Sequence, residues 1–262
     1  MRNGLVAGAA LVTFALSASA MAADLPLKAP PPVAAPAPSW TGFYVGANVG
    51  GVWTHSDGTW NPLPDPATFN ANALTGAIDT SSVAAGFHVG YNYQFGPSFV
   101  AGIEADWTWT NASGSFTQTW TFFNTALPVA GSFTTMSTKL NWLATVRGRL
   151  GYLVTPDLLA YVTGGGAWGG VDYGANNFNG PGGGGGYSTA VAFSNTPSGY
   201  VLGGGIEWKM TSNWLLRGEY LFYRLSGASA VGTSATFPGN PSGYVWSDMD
   251  VNEGRVGVSY KF

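Results

Sequence analysis

Three observations predict an all-β chain, an eight-stranded antiparallel up-and-down transmembrane β-barrel. Stretches of strict apolar/polar alternation recur along the chain and charged residues make up only 9% of it. The connections between the stretches alternate between about three and about 25 residues, as in barrels with short turns at one end and long loops at the other. Period-two alternation marks a strand whose two faces meet different surroundings. Charged residues supply about a quarter of an ordinary soluble domain, so a surface with so few belongs against lipid. The chain has no cysteine, which excludes disulfides, thiolate metal sites and lipoprotein anchoring. A net charge of −3 with no basic cluster argues against a nucleic-acid partner.

Residues 1–22 read as a secretory signal peptide. Arg2 gives a positive start, Leu5 to Leu16 an apolar run, and Ala20-Met21-Ala22 a small-x-small site. The apolar run falls short of the ~20 residues a spanning helix needs. Residues 23–39 are rich in Pro and Ala and form a spacer, because Pro lacks the donor a sheet requires and favours extended geometry. Residues 40–262 are the barrel.

Strand one, 40–53, sets Phe43, Val45, Ala47 and Val49 against Tyr44, Gly46, Asn48 and Gly50. Strand two, 81–95, sets Val83, Ala85, Phe87, Val89, Tyr91 and Tyr93 against Gly86, His88, Gly90 and Asn92. After Gly96-Pro97-Ser98, strand three, 99–110, opposes Ala101, Ile103, Ala105, Trp107 and Trp109 to Gly102, Glu104, Asp106 and Thr108. Strand four, 139–154, places Leu140, Trp142, Ala144, Val146, Leu150 and Tyr152 opposite Asn141, Thr145, Arg147 and Arg149. Strand five, 158–170, follows a Thr155-Pro156-Asp157 turn, and Gly164–Gly166 leave its faces unassigned. Strand six, 199–210, carries Tyr200, Leu202, Ile206 and Trp208 on one face and Gly205, Glu207 and Lys209 on the other. Strand seven, 214–226, opposes Trp214, Leu216, Tyr220 and Phe222 to Arg217 and Glu219. The closing strand, 249–262, opposes Val256, Val258, Tyr260 and Phe262 to Glu253, Arg255, Gly257, Ser259 and Lys261. An even strand number puts the spacer on the short-turn, periplasmic side and four long, Gly/Ser/Thr/Asn-rich loops outside; the Gly182–Gly186 run has too much backbone freedom to hold one conformation unaided.

A soluble barrel of the lipocalin type would point its charges outward. Here the charges sit on the face that also carries Gly, Asn and Thr: Glu104, Asp106, Glu207, Glu219 and Glu253 against Arg147, Arg149, Lys209, Arg217 and Arg255. An eight-stranded interior is just wide enough for side chains to fill, and balanced charges pair there, since an unpaired one costs several kcal/mol. Arg217 and Glu219 are the candidate partners of Glu253 and Arg255. The other face is apolar, with Trp and Tyr gathered toward strand ends (Trp40, Trp53, Tyr93, Trp109, Tyr152, Trp208, Trp214 and Tyr260 among them) as interfacial girdles would be. Lipid outside and ion pairs inside is the predicted arrangement.

Three stretches together resemble a known family: Asp24-Leu-Pro ahead of a Pro-rich segment, Trp40-Thr-Gly-Phe-Tyr-Val-Gly46, and the terminal Val256-Gly-Val-Ser-Tyr-Lys-Phe262. They resemble the porin-like outer-membrane surface antigens of alphaproteobacteria, which are similar to the transmembrane domain of outer membrane protein A. The resemblance covers the mature chain. It implies an outer-membrane barrel in contact with lipid and lipopolysaccharide, with Phe262 and Tyr260 as the signal read by the barrel-assembly machinery. Some relatives bind haemin; others contribute to envelope integrity or contact the host.

Gly164-x-Gly166-x-x-Gly169 matches a dinucleotide fingerprint by letters alone, without the helix that motif must open. Asn111-Ala-Ser113 matches a glycosylation sequon by chance composition. Of the two histidines, His88 is expected to join the interior polar network. His55, just past strand one near Trp53 and Trp60, is the candidate for haemin, which wants an imidazole beside aromatic surfaces. The spacing supports no Ser/His/acid constellation, so no enzyme activity, catalytic residue, metal or cofactor is expected. The reading is a surface protein with a structural or interaction role, with a small-solute porin as the alternative and haemin capture as a further one.

Overall fold

The computed structural model describes residues 39–63, 72–122, 125, 127–181, 187–235 and 238–262. The signal-peptide segment, all of the spacer except Ser39, and the Gly182–Gly186 run lie outside the described residues. The described residues are all-β and form eleven strands: β1 Gly42–Pro62, β2 Leu74–Phe95, β3 Phe99–Thr121, β4 Pro128–Thr155, β5 Leu158–Asn179, β6 Tyr187–Asn195, β7 Ser198–Lys209, β8 Trp214–Leu225, β9 Ala228–Gly232, β10 Ser242–Trp246 and β11 Met249–Lys261.

All pairings are antiparallel, and β1, β2, β3, β4, β5, β7, β8 and β11 close an eight-membered ring through the β1–β11 ladder, Tyr44↔Lys261 to His55↔Asp250. Closure leaves no free edge in the segment that faces lipid, where an unpaired backbone group would cost several kcal/mol. The remaining strands continue these staves: β6 leads into β7 across Thr196-Pro197, β8 into β9 across Ser226-Gly227, and β10 into β11 across Ser247-Asp248. Much of what composition marks as loop is therefore strand. Trp53–Trp60 ladders with Leu74–Ser81, and Phe133–Leu140 with Val171–Phe178. The alternation persists in these segments, but with Thr, Ser and Asn on the outer face it reads as loop.

Above the ring the tube separates into two sheets. The β2–β3 ladder ends at Ala84↔Thr110, and no ladder joins β6 to β9 among the described residues. What remains is one sheet in the order β2-β1-β10-β9 facing another in the order β3-β4-β5-β6. The upper part is thus a small β-sandwich, the two-layer way to bury apolar faces.

Alternation in the ring points Val45, Val83, Ile103, Val146, Leu202, Ile206 and Val256 outward. Strand five resolves as well: Leu159, Tyr161, Thr163 and Ala167 face in, while Val162 and Trp168 face out. One segment departs from the sequence reading. A β-bulge between Leu140 and Trp142 puts Leu140 inside and Asn141 on the outer wall. An extra residue in one strand reverses the facing of everything beyond it.

Candidate functional site: the layered interior

At the short-turn end Trp40 closes the mouth. It is fully buried among Val100, Leu153, Leu159, Tyr161 and Leu215, its indole Nε1 donates to Pro156 O at 3.1 Å, and Lys209 Nζ stands 4.5 Å from its ring. This corrects the girdle assignment of Trp40. Gly42, at φ 144°, turns the chain inward there, and a side chain at that position would meet Phe262 O at 2.9 Å. Lys209 accordingly packs with this cap, apart from the arginines above it.

The middle layer holds four arginines and five carboxylates, all nearly inaccessible. Arg147 reaches Glu104 at 2.6 Å, Asp106 at 2.9 Å and Glu219 at 3.0 Å. Arg217 bridges Glu104 at 2.8 Å and Glu207 at 3.0 Å, and Arg149 pairs with Glu207 at 2.8 Å. Arg255 contacts Glu219 at 2.6 Å and Asp106 at 3.3 Å. Inward alternation on β3, β4, β7, β8 and β11 delivers these groups to one level. Three tyrosines complete the shell: Tyr44 donates to Glu104 at 2.7 Å, Tyr161 to Glu219 at 3.0 Å and Tyr223 to Glu253 at 2.5 Å. Glu253 therefore takes its hydrogen bond from Tyr223 and stands 3.6 Å from Arg255, while Arg217 is occupied elsewhere. Gly90 makes room, since a side chain there would collide with the Tyr44 hydroxyl. Charge-assisted bonds of this density rigidify the ring.

His88 is buried beside this network, with Nε2 2.8 Å from Ser259 Oγ and Nδ1 3.4 Å from Asn48 Nδ2. A His–Ser pair alone is not nucleophilic machinery; the second nitrogen faces an amide rather than an orienting carboxylate, and the site is closed to substrate.

The upper layer is apolar. Trp60 stacks on Trp120 at 4.7 Å across the two sheets, and Tyr173 meets Trp246 at 5.2 Å. One chain of hydrogen bonds crosses it: Trp120 Nε1 donates to Thr134, Thr134 to Asn177 Oδ1, and Asn177 Nδ2 to Ser242. The sequence reading missed this layer, although Tyr244-Val-Trp246 already shows aromatic residues at period two. His55 and Asp79 lie outside, 2.6 Å apart, and that hydrogen bond raises the His55 pKa above 6.5. Trp60 points into the sandwich, away from His55, so Trp53 alone of the two flanking indoles shares its outer surface. On the opposite wall Ser194 donates to Asp172 at 2.6 Å and Asn141, brought there by the bulge, donates at 2.8 Å, and the two bonds hold that carboxyl below the usual range. At the terminus Phe262 is exposed, Tyr260 packs edge-on against it at 5.2 Å, and Phe262 N donates to Phe43 O at 3.0 Å.

Residues 8–262 match the family model described as outer membrane protein beta-barrel domain. The chain belongs to this family. It is 31% identical over 262 residues to the 31 kDa outer-membrane immunogenic protein of Brucella melitensis biotype 1, covering 97% of this chain and 98% of the relative. It is 28% identical over 227 residues to the 22 kDa outer membrane protein of Rhizobium leguminosarum bv. viciae, covering 87% and 80%. Among solved structures it is similar to Ail, the attachment invasion locus protein of Yersinia pestis, at 12% identity and a TM-score of 0.37 over 85% of this chain and 99% of that one. This barrel, like the Brucella and Rhizobium relatives, is an outer-membrane protein.

Proposed function

We propose that this barrel serves the envelope as a structural and interaction protein and does not act as a solute pore. The observation that carries this reading is the filled lumen: Trp40 at one mouth, the arginine–carboxylate network across the middle, and a packed sandwich above. The sandwich projects from the cell as a stiff pedestal, and its turns and outer walls offer contact surfaces to lipopolysaccharide or to a host. Planar-bilayer recording tests the reading. Quiet bilayers are the expected result; steady conductance that changes when Arg217 or Glu219 is neutralised would overturn it. Within this reading Phe262 and Tyr260 are the assembly signal, placed on the lipid face of the strand that closes the ring. Phe262→Ala should lower the amount of folded barrel in the outer membrane while leaving total synthesis unchanged. A haemin role for His55 draws less support, because its imidazole is held by Asp79 and Trp60 faces away.

A further inference from the structure

The ladders on the two sides of β5 are irregular at one height. On one side the bulge in β4 falls between Leu140↔Val171 and Trp142↔Gly170. On the other side β5 changes partner. It ladders with β7 up to Trp168↔Ser198 and with β6 from Val171↔Asn195, and between them Gly169 N donates to Pro197 O at 3.1 Å. A cleft of about 380 Å³ opens in the outer wall here, lined by Asn141, Trp142, Asp172, Ser194, Asn195 and Thr196. Bulges re-aim side chains, and this one turns two successive residues outward, Asn141 and Trp142. Trp142 stacks on Trp107 at 4.5 Å and reaches over Gly170, where a side chain would collide with its indole.

The height of the cleft follows from the sequence of the wall. The outer faces of β4 and β5 carry no charge from the short-turn end up to Trp142 and Trp168. Lys139 and Asp172 are the first charges above those indoles, and they stand opposite each other in the ladder. Outward tryptophans mark the level of the lipid headgroups, so the cleft opens among them. It also has hydrogen-bonding capacity to spare. Asp172 accepts once on each oxygen, from Ser194 at Oδ1 and from Asn141 at Oδ2, while each carboxylate oxygen can accept twice. Asn195 Oδ1 accepts from Thr196 N at 2.9 Å, and Asn195 Nδ2 and the Thr196 hydroxyl have no partner among the described residues. Lys139 offsets the charge of Asp172, which disfavours a bare cation, and the described residues hold no group of three metal-ligating side chains. Donors and acceptors side by side, with little net charge, suit hydroxyl groups, each of which both gives and takes a hydrogen bond.

We propose that this cleft binds the sugar headgroup of a glycolipid in the barrel's own outer leaflet. One ring hydroxyl donates to Asp172, its neighbour accepts from Asn195 or Thr196, and the exposed edge of Trp142 supplies the apolar side. A glycan from outside the cell is the poorer occupant, because it would have to cross the headgroup layer to reach a cleft at this level. The inference rests on the envelope-contact reading above. The two fail separately: loss of glycolipid binding would leave a quiet, filled barrel as it is, and conductance would leave the binding result as it is.

The full-length mature barrel is folded in detergent micelles, and folding of every variant is checked by heat-modifiable electrophoretic mobility. Native mass spectrometry then counts the lipid retained as rough-type lipopolysaccharide is titrated in. Saturable retention of a single glycolipid is expected, with phosphatidylethanolamine and phosphatidylglycerol, which carry no sugar, held about tenfold less tightly. Asp172→Ala should weaken retention of the glycolipid about tenfold and Asn195→Ala about threefold, the loss of a charge-assisted and of a neutral hydrogen bond. Asp57→Ala removes an outward carboxylate from β1, on the other side of the barrel, and should change nothing. Equal retention of the three lipids, retention unmoved by Asp172→Ala and Asn195→Ala, or an equal loss with Asp57→Ala would each overturn the proposal. Asn195 is exposed and its side chain bonds only the next residue's amide, so its arm survives should Asp172→Ala misfold.

Discussion

The two halves of this molecule bury opposite things with the same staves. In the ring, alternation sends Val, Ile and Leu out to lipid and gathers Arg147, Arg149, Arg217 and Arg255 with their carboxylates inside. In the sandwich, the same β1 that exposes Val45 and Val49 now exposes His55 and buries Trp60. The hydrophobic effect explains the inversion. Apolar surface gains nothing by leaving lipid, so the ring's cohesion comes from backbone closure and ion pairing. Above the interface water returns, and apolar burial again drives assembly, at about 25 cal/mol per Å².

The largest break in this comparison should come from Arg147→Met. Three carboxylates lose a partner in a closed space, and a loss of about 4 kcal/mol is expected from urea unfolding in vesicles, because removing one member of a buried network strands the others. A neutral result would mean that the arginines are not acting as a unit. Trp120→Ala should cost the sandwich about 3 kcal/mol through the cavity left beside Trp60. Its signature should be local: hydrogen exchange should quicken in the outer parts of β3 and β4 while ring amides stay protected, and a uniform rise would show that the halves unfold together. Glu253→Gln sharpens the contrast from within the ring. Tyr223 can still donate to the amide oxygen, so the unfolding free energy should fall by only about 1 kcal/mol.

The smallest effect belongs to the outer wall. Asp79 raises the His55 pKa, so the stabilisation is complete below the ordinary imidazole value and fades as pH climbs through the raised folded value. Solvent screening keeps this too weak to move an unfolding midpoint. An NMR titration of His55 should show the elevated pKa, and Asp79→Asn should return it toward 6.5; an unmoved titration would discard the pair.

Much of the ring was legible in the chain because its two faces differ so sharply. Glu104, Arg147 and Arg255 sit at alternate positions among glycines, with aromatic and branched residues between, and only one facing keeps both sets content. The bulge at Asn141 was not legible, since one inserted residue leaves no compositional mark. Nor was the partner of Glu253: spacing gives the facing of a side chain, while the shear of the barrel decides which group stands opposite. Trp40 was misplaced for a related reason. The first residue of a strand has no alternation behind it, and the turn at Gly42 outweighs the preference of an indole for the interface.

By itself the sequence determined the inner and outer faces of most of the ring's strands and the membrane-bound character of the chain, because each rests on local periodicity and composition. Only the tertiary structure decided that the ring gives way to two sheets, that Trp60 meets Trp120 across them, and that β6 and β9 are left unzipped. Those outcomes depend on distances between segments far apart in the chain, which twist, register and closure set together and which no single stretch encodes.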